Sequence, residues 1–398
     1  MRGASMATVY ANPLFRIDAI IEDGRPLLEA GGILAPLVAP SLKPINRMFR
    51  EEKPIRSGDT VIFSTWAPPV PSRAFGRLVS AHVNAMLRRR VPDQASIAIT
   101  KRCPNRCIHC GAADIVAEHE LGLSEINRVV DESIAMGSYL ISFDGGEPMI
   151  RKDLPGMVAH VDKELAIATC FTSGFGLTPE RAAELRDAGL FAIRVSLDSP
   201  VEKEHDRVRG REGTFRDAMA AIKNAKDAGL LVDLFVVVSP HNIDDLDGFY
   251  ELARTNGVQE ISLYEIIAVG RWLSHEDEVI SKNDVGRLLR FQEKVNREDD
   301  GPRVTAFPHF MGPSMFGCFA GRRWLHVTSA GDVLPCAYTP LTFGNVTEEP
   351  LTAIWQRMGK YAPYRKKAGY CLMRNPDFRG RYIKSIPEDA QLPYRVNV

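Results

Sequence analysis

The sequence has no excess of either charge. Its 398 residues include 50 basic and 50 acidic side chains, which gives a formal net charge of +0. Domains that bind nucleic acid usually carry a basic excess that pairs with phosphates, so we do not expect a nucleic-acid partner. The one dense basic run, Arg88-Arg89-Arg90, is interpreted as the solvated end of a helix, where positive charge complements the helix dipole.

The sequence also lacks a long apolar run. The most apolar early stretch, residues 31–42, is short and is interrupted by Pro36 and Pro40, whereas a membrane-spanning helix needs about 20 apolar residues. Charged side chains near the start, such as Asp18 and Arg25, do not fit a secretory leader. We therefore expect no transmembrane segment and a reduced, cytoplasmic compartment.

Cysteine is scarce but grouped. The seven cysteines are Cys103, Cys107 and Cys110, then the single Cys170, then Cys318, Cys336 and Cys371. An odd number in two groups of three does not fit a disulfide framework and favours metal or redox chemistry in a reduced compartment. Cys170 lies in a predicted strand and is interpreted as part of the core.

From residue 96 onward, short β-branched runs alternate with helical segments. The predicted strands are 96–100, 139–143, 168–172, 192–197, 232–238 and 260–267. Strict alternation requires a parallel sheet with right-handed crossovers, and six such units predict a partial (β/α)6 barrel of the TIM type. Ligands of such barrels gather at the carboxyl ends of the strands.

Three parts are predicted: an N-terminal extension (1–95), the barrel (96–300) and a small C-terminal domain (301–398). The extension contains a predicted strand at 60–63 and an amphipathic helix at 72–90, and it would cap the barrel or recognise a substrate. In the C-terminal domain, strands near 324–328 and 332–334 are joined by a turn, and a short helix follows at 351–358.

The first cysteine group has the spacing C-x3-C-x2-C and directly follows the first strand. Thiolates of Cys103, Cys107 and Cys110 on one loop can reach three corners of a four-iron cluster, which leaves one iron open to a small molecule. A zinc loop is the alternative, although structural zinc normally has four protein ligands. His109, between two of the cysteines, is interpreted as a packing residue.

Further motifs fall at the ends of the other strands. Gly145-Gly146-Glu147-Pro148 follows the second strand, and glycines let backbone carbonyls approach a ligand closely. Polar residues at strand ends, or on the segment after the fourth strand, are Ser173, Ser196, Asp198, Arg207 and Arg209. Either arginine can form a bidentate pair with a carboxylate, and the sequence does not decide between them. Ser196 and Asp198 equally suit a helix N-cap.

Together these motifs resemble the radical S-adenosylmethionine (radical SAM) superfamily over residues 96 to about 375. The resemblance implies that the first cysteines hold a [4Fe-4S] cluster whose open iron binds the amine and carboxylate of SAM. Reductive cleavage of SAM would give a 5′-deoxyadenosyl radical that removes a substrate hydrogen. The implied SAM-binding residues are Gly145, Gly146, Glu147, Pro148, Ser173, Ser196, Asp198 and Arg207 or Arg209. An electron donor such as flavodoxin or ferredoxin is also implied.

The second cysteine group has the pattern Cys318-x12-Gly331-x4-Cys336, with Cys371 beyond it. A hairpin turn at the glycine would bring the flanking thiols together, and the pattern is similar to the auxiliary-cluster domain of the SPASM and twitch branches of the family. Cys371 alone stands where a full SPASM domain continues with a longer cysteine run. We therefore expect one auxiliary [4Fe-4S] cluster, the alternative being a hairpin with incidental cysteines.

The expected function is that of a radical SAM enzyme acting on a small-molecule or peptide substrate, in maturation of a peptide or protein or in biosynthesis of a cofactor or natural product. A non-catalytic iron-sulfur electron carrier or redox sensor is the alternative, and it would not need residues 145–148. Glu265, at the end of the sixth strand, is costly to bury without a partner, and Arg271 is the predicted one.

Overall fold

The computed structural model describes residues 5–113, 115, 119–313 and 315–396. The described residues form a three-stranded antiparallel sheet, a nine-stranded central sheet and a two-stranded pair. No helix among them is both long and apolar enough to cross a membrane.

The N-terminal unit comprises β1 (Ser5–Ala11), β2 (Arg16–Glu22), β3 (Arg25–Gly31), α1 (Ala35–Glu51) and α2 (Arg73–Met86). Its strands are antiparallel with β2 in the centre, and Asp23-Gly24 forms the turn with positive φ at both residues. The predicted strand at 60–63 is only a pair of isolated bridges. Helix α1 continues through Pro40 and Pro44 because its buried face packs on the sheet.

The central region comprises β4 (Gln94–Ala98), α3 (Leu123–Met136), β5 (Leu140–Asp144), α4 (Leu154–His160), β6 (Ile167–Thr172), α5 (Pro179–Asp187), β7 (Ala192–Ser196), α6 (Glu202–Arg209), α7 (Thr214–Asp227), β8 (Leu231–Val238), α8 (Leu246–Thr255), β9 (Glu260–Glu265), α9 (Lys282–Asn296), β10 (Arg303–Ala306) and α10 (Phe307–Phe310). Strands β4 to β9 are parallel neighbours in chain order, which confirms the predicted partial barrel. Strand β10 adds a seventh parallel strand beside β9.

The C-terminal region comprises β11 (Trp324–Val327), β12 (Val333–Leu334), β13 (Leu341–Thr342), α11 (Leu351–Lys360), α12 (Pro376–Phe378) and β14 (Tyr394–Arg395). The antiparallel pair of β11 and β12, with Gly331 in the turn at φ +94°, is the predicted hairpin. Strand β11 also pairs in parallel with β4, so the central sheet continues into this region. The sheet ends at β10 and β12 and stays open.

Arg90 departs from the predicted solvated basic run. Helix α2 ends at Met86, and the Arg90 guanidinium lies 4.3 Å from the centre of the Trp355 ring and donates to the Trp355 carbonyl. Burial lowers the pKa of Arg90 to about 10. Arg88 and Arg89 are exposed as predicted, whereas Arg90 joins the N-terminal unit to the C-terminal region.

Residues 64–66 of the N-terminal unit enter the barrel and bond to buried carboxylates on its strands. The Glu260 carboxylate accepts from the Ser64 hydroxyl at 2.8 Å and from the Thr65 amide at 2.5 Å. The Asp233 carboxylate accepts from the Thr65 hydroxyl at 2.9 Å and from the Trp66 indole at 3.2 Å. These contacts fix the N-terminal segment as part of the barrel interior.

Arg194 is the cation of this interior network. Its side chain is fully buried, with Nε 3.3 Å from the Asp233 carboxylate and the guanidinium carbon 3.6 Å from the centre of the Trp66 ring. Burial lowers the pKa of Arg194 to about 10, so the group remains charged at neutral pH. Burial and the nearby Glu260 raise the pKa of Asp233.

Replacing this cation should strongly destabilise the fold. We expect Arg194→Met to lower the free energy of unfolding by about 3–5 kcal/mol, because it leaves buried carboxylates without their counter-charge. Arg186→Met, at an arginine whose side chain is half exposed, is the control and should cost no more than about 1 kcal/mol. Urea denaturation of the full chain measures both, and equal midpoints would contradict the assignment.

Candidate active site

A cavity of about 800 Å³ lies at the carboxyl ends of the barrel strands. Its wall brings together residues from separate motifs, namely Cys103, Cys107, Cys110, Gly145, Gly146, Pro148, Ser173, Ser196 and Arg209. Parallel strands deliver their following loops to one edge of the sheet, which is why distant motifs meet here. We refer to this space as the catalytic cavity.

The first cysteine loop is held by backbone bonds to the end of α6. The Arg106 and Ile108 amides donate to the carbonyls of Arg209 and Val208 at 3.0 and 2.9 Å. Burial, with the neighbouring thiols, raises the pKa of Cys103 to about 11. A thiol with a raised pKa stays protonated at neutral pH until a metal ion displaces the proton, so Cys103 is a poor free nucleophile and loses its proton only as a metal ligand.

The two glycines let the next loop press against the cysteine loop. A Cβ on Gly145, which has φ +131°, would lie 2.3 Å from the Thr100 carbonyl oxygen, and one on Gly146 would lie 2.2 Å from that of Arg102. The Gly146 amide donates to the Thr100 carbonyl at 2.7 Å. No larger residue fits at either position, so the motif fixes the spacing between the two loops.

Glu147 faces away from the catalytic cavity. Its fully buried carboxylate accepts from the Thr172 hydroxyl at 2.7 Å and from the Ser173 amide and hydroxyl at 2.8 and 2.6 Å. Burial raises the pKa of Glu147, although these hydrogen bonds oppose the change. The geometry makes Glu147 a positioning residue that orients Ser173, instead of the predicted direct contact with the cofactor.

Asp198 lies behind the cavity wall and contacts Arg209 and His109. Its carboxylate oxygen Oδ2 lies 2.7 Å from Nε of Arg209 and 2.9 Å from Nε2 of His109. Burial alone would raise the pKa of Asp198, but Arg209 and His109 outweigh it and hold the pKa well below its usual range. The Arg209 guanidinium in turn donates to the Cys107 sulfur at 3.8 Å. His109, predicted to pack, therefore supports the cofactor side of the site.

The structure decides which of the two arginines, Arg207 or Arg209, can reach the cavity. Arg209 is buried and lines the cavity, whereas the Arg207 side chain is 57% exposed and pairs with Glu204 at 2.8 Å. Residues two apart on a helix point to different faces, so only one of them can reach the cavity. Arg207 lies outside the site.

The predicted pairing of Glu265 with Arg271 is wrong. The Arg271 guanidinium donates to the Cys107 carbonyl at 2.9 Å and lines the cavity. Glu265 instead forms an ion pair with Arg374, which comes from the C-terminal region. This long-range pair joins the end of β9 to the segment that carries Cys371.

The second cysteine group assembles from three separate segments. Cys318 and Cys336 are buried, Cys371 is half-buried, and the Cys318 amide donates to the Ala368 carbonyl at 2.9 Å. Burial and the nearby Cys318 raise the pKa of Cys336 to about 12, and the same pair of causes raises that of Cys371. Cys318 thus lies near both other thiols, and its approach to Cys336 is the one that the hairpin pattern predicted.

Both groups offer the ligand type that iron-sulfur clusters take. Each consists of three free cysteines, and cysteine thiolates hold such clusters in proteins. The first group faces a cavity beside a cradle that only glycine can form. The residues present thus fit a cluster with an open position there.

Two polar residues of the cavity were not predicted. Oxygen Oδ1 of Asp144 has no hydrogen-bond partner, and Oδ2 lies 3.9 Å from Nδ1 of His326. That ring nitrogen is also 2.8 Å from the Ser96 hydroxyl. Burial raises the pKa of Asp144 to about 7 and lowers that of His326 to about 4. A carboxylate ending a strand directly before Gly145 was the available sequence signal.

Aromatic side chains form a further part of the cavity wall. The Tyr338 ring lies 5.5 Å from that of Tyr264 and 6.0 Å from that of Trp324. Burial and the nearby Cys336 and Cys371 raise the pKa of Tyr338, so the second cysteine group lies near this wall. The catalytic cavity therefore lies between the two cysteine groups.

Comparison with known proteins agrees with this geometry. The radical SAM superfamily profile matches residues 97–253, and the iron-sulfur cluster-binding SPASM domain matches 318–375. An AdoMet-dependent heme synthase of Methanosarcina barkeri is 27% identical over 69% of this chain and 86% of its own length. A PqqA peptide cyclase of Rhizobium meliloti is 29% identical over 70% of this chain and 78% of its own.

Solved structures share the fold. SuiB of Streptococcus suis bound to S-adenosylmethionine superposes with a TM-score of 0.58 at 17% identity, covering 72% of this chain and 71% of SuiB. SuiB bound to its precursor peptide SuiA also gives 0.58, at 16% identity, and covers 88% of each chain.

The two arginines provide a matched test of the site. We expect Arg209→Met to slow formation of 5′-deoxyadenosine from SAM by about 10- to 100-fold, since a charged hydrogen bond contributes about 1.5–3 kcal/mol. Arg207→Met, two residues away and exposed, should leave the rate unchanged. Chromatography after anaerobic reduction measures the product, and equal rates for the two variants would exclude a role for Arg209.

Proposed function

Because this chain is a radical SAM enzyme with a C-terminal SPASM domain, we propose that it oxidises its substrate by two electrons in the catalytic cavity. The observation that carries the proposal is the unpartnered Asp144 oxygen, which belongs to a cavity wall between the two cysteine groups. A substrate placed there can lose a hydrogen atom on the side of the first cysteine group. It can then lose a proton to Asp144 and an electron toward the second cysteine group.

The residues that would hold the cofactors are the two cysteine groups defined above, with Gly145, Gly146, Ser173, Ser196 and Arg209 around SAM. When bound, these groups supply a 5′-deoxyadenosyl radical at the first site and a one-electron acceptor at the second. Arg209 is pre-oriented for a carboxylate because Asp198 fixes its Nε, which lowers the entropic cost of binding. The aromatic wall excludes water from the cavity.

Asp144 is proposed to take the proton. After hydrogen-atom loss, the substrate carbon radical would give one proton to the Asp144 carboxylate and one electron toward the second cysteine group, which leaves a product oxidised by two electrons. Neutral His326 stands 3.9 Å from Asp144 and adds no positive charge that would lower the pKa of the carboxyl group. Geometry within reach of the cavity and a pKa near neutrality both favour such a base.

The substrate is proposed to be a peptide or a precursor in cofactor biosynthesis. Relatives named for heme synthesis and for peptide cyclisation support this range. The cavity volume of about 800 Å³ is in the usual range for cofactor and small-molecule sites. A reduced cytoplasmic compartment, an electron donor such as flavodoxin or ferredoxin, and no nucleic-acid partner complete the proposal.

If Asp144 is the base, its replacement should affect product formation but not cleavage of SAM. We expect Asp144→Asn to retain 5′-deoxyadenosine formation but to slow product formation by about 100- to 10,000-fold, the usual contribution of a general base. Ser133→Ala, at a buried serine of α3 outside the cavity, is the control and should leave both products unchanged. Chromatographic assay of both products measures the split, and unchanged product formation in Asp144→Asn would refute the role.

The pH dependence follows from the same group. Burial raises the pKa of Asp144 to about 7, so the proton-accepting carboxylate dominates only above that pH. The titratable neighbours are His326, Tyr338 and Cys170, and burial keeps all three uncharged near pH 7. Product formation should rise with pH through about 7 in the unmodified enzyme and lose this limb in Asp144→Asn. If product formation by Asp144→Asn still rose with pH through about 7, the titrating group would be a different one.

The second cysteine group can be tested by iron content. Cys336→Ala should lower iron per chain and abolish product while 5′-deoxyadenosine still forms, because the first group is intact. Cys170→Ala is the matched control, since that thiol is buried in the core and belongs to neither group. Turnover that survives in Cys336→Ala would make the second group structural.

A further inference from the structure

A second cavity of about 400 Å³ lies between the N-terminal unit and the barrel. Apolar side chains dominate its lining, among them Leu34, Val38, Leu42, Phe75, Val79 and Phe316. Helices α1 and α2 supply most of these residues. We refer to this space as the apolar chamber.

The chamber opens toward solvent through an apolar rim. Leu37 on α1 is 75% exposed, and Met86 and Leu87 at the end of α2 are 57% and 58% exposed, although all three also line the chamber. Ile33, just before α1, is 81% exposed. Large apolar side chains gathered at a cavity mouth are characteristic of a site for an apolar ligand.

The chamber adjoins the catalytic cavity. Trp66, Gln94, Phe307 and Phe319 line both spaces. Trp66 is fixed at this junction because its indole donates to the Ser262 hydroxyl at 2.8 Å. A ligand that enters at the rim and reaches Trp66 is therefore next to the space where the radical would form.

Most polar groups of the chamber lining already form hydrogen bonds with other protein groups. The Ser41 hydroxyl donates to the Val38 carbonyl at 2.7 Å, and Arg323 donates to Asp93 at 2.6 Å. A peptide backbone in the chamber would leave buried N–H and C=O groups unpaired, each at a substantial free-energy cost. A hydrocarbon chain has no such groups, so the lining favours a chain over a peptide.

We propose that the apolar chamber binds a hydrocarbon chain carried by the substrate, so that most of the chain lies between α1 and α2 while its carbons next to the reacting group extend past Trp66 into the catalytic cavity. A methylene group fills about as much liquid volume as a water molecule, roughly 30 Å³, so the chamber holds about a dozen carbons. This inference rests on the proposed function and narrows its substrate to amphipathic molecules with a fatty acyl or isoprenoid chain.

The first test is binding of cis-parinaric acid, a fluorescent fatty acid, to the full chain with reconstituted clusters. We expect saturable binding of one probe per chain. Leu78→Trp, which fills the chamber, should weaken it at least tenfold, and Leu37→Asp, which charges the rim, should weaken it several-fold. Val201→Asp places the same charge at a distant exposed apolar residue and should bind as the unmodified chain does.

The second test asks whether the chain reaches the radical. With perdeuterated hexadecanoic acid bound, 5′-deoxyadenosine should gain one mass unit, and Leu78→Trp should lose this deuterium while still forming 5′-deoxyadenosine. Absence of saturable binding, or equal binding by Leu37→Asp and Val201→Asp, would overturn the proposal. Saturable binding without deuterium transfer would also overturn it, because the chain would then end outside the catalytic cavity. Failure of the proposed function itself would differ, since deuterium would still reach 5′-deoxyadenosine while no product oxidised by two electrons formed.

Discussion

The contact on which the site depends is the close approach of two backbones, residues 145–146 and residues 100–102. At both glycines an added Cβ would overlap a carbonyl oxygen of the cysteine loop, so the loops cannot separate without losing their hydrogen bonds. Glu147 continues from this contact into the Thr172 and Ser173 hydroxyls. The buried Glu147 carboxylate thus connects the segment next to the first cysteine loop with the end of β6, the third strand of the barrel.

The opposite end of the barrel is fixed by charge. Arg194, Asp233 and Glu260 are each fully buried, a costly arrangement that is offset by the ion pair of Arg194 with Asp233 and by hydrogen-bond partners of the two carboxylates. Ser64 and Thr65 supply many of those partners, so the N-terminal unit is bound to the barrel by hydrogen bonds that no solvent can replace. The indole of Trp66 is carried into the interior by the same segment. The N-terminal unit therefore shapes the cavities and does more than cap the fold.

The sequence predicted the parts of the structure that depend on local pattern. Strands β4 to β9 follow from β-branched runs at regular spacing, and the hairpin of β11 and β12 follows from one glycine. The N-terminal hairpin was missed although Asp23-Gly24, a strong turn signal, stands between its strands. Prolines in α1 concealed that helix, because its stability comes from packing on a sheet that was itself not predicted.

Ion pairs between residues far apart in the chain could not be predicted from the sequence. The partner of Glu265 is Arg374, more than a hundred positions away, and no spacing rule connects them. Arg207 and Arg209 differ only in the helix face they occupy, which depends on where α6 packs. The direct cofactor role predicted for Glu147 rested on motif position, whereas burial and three close donors turn the carboxylate inward.

Trp66 connects the two halves of the function. Its indole is held by the charged interior, its ring faces the catalytic cavity on one side, and the apolar chamber reaches it from the other. Moving Trp66 out of this position would be costly, because the Asp233 carboxylate would lose a hydrogen bond and the Arg194 guanidinium would lose its aromatic contact. A ligand in the chamber must therefore pass beside a fixed wall, and the position of that wall decides which of its carbon atoms comes closest to the radical.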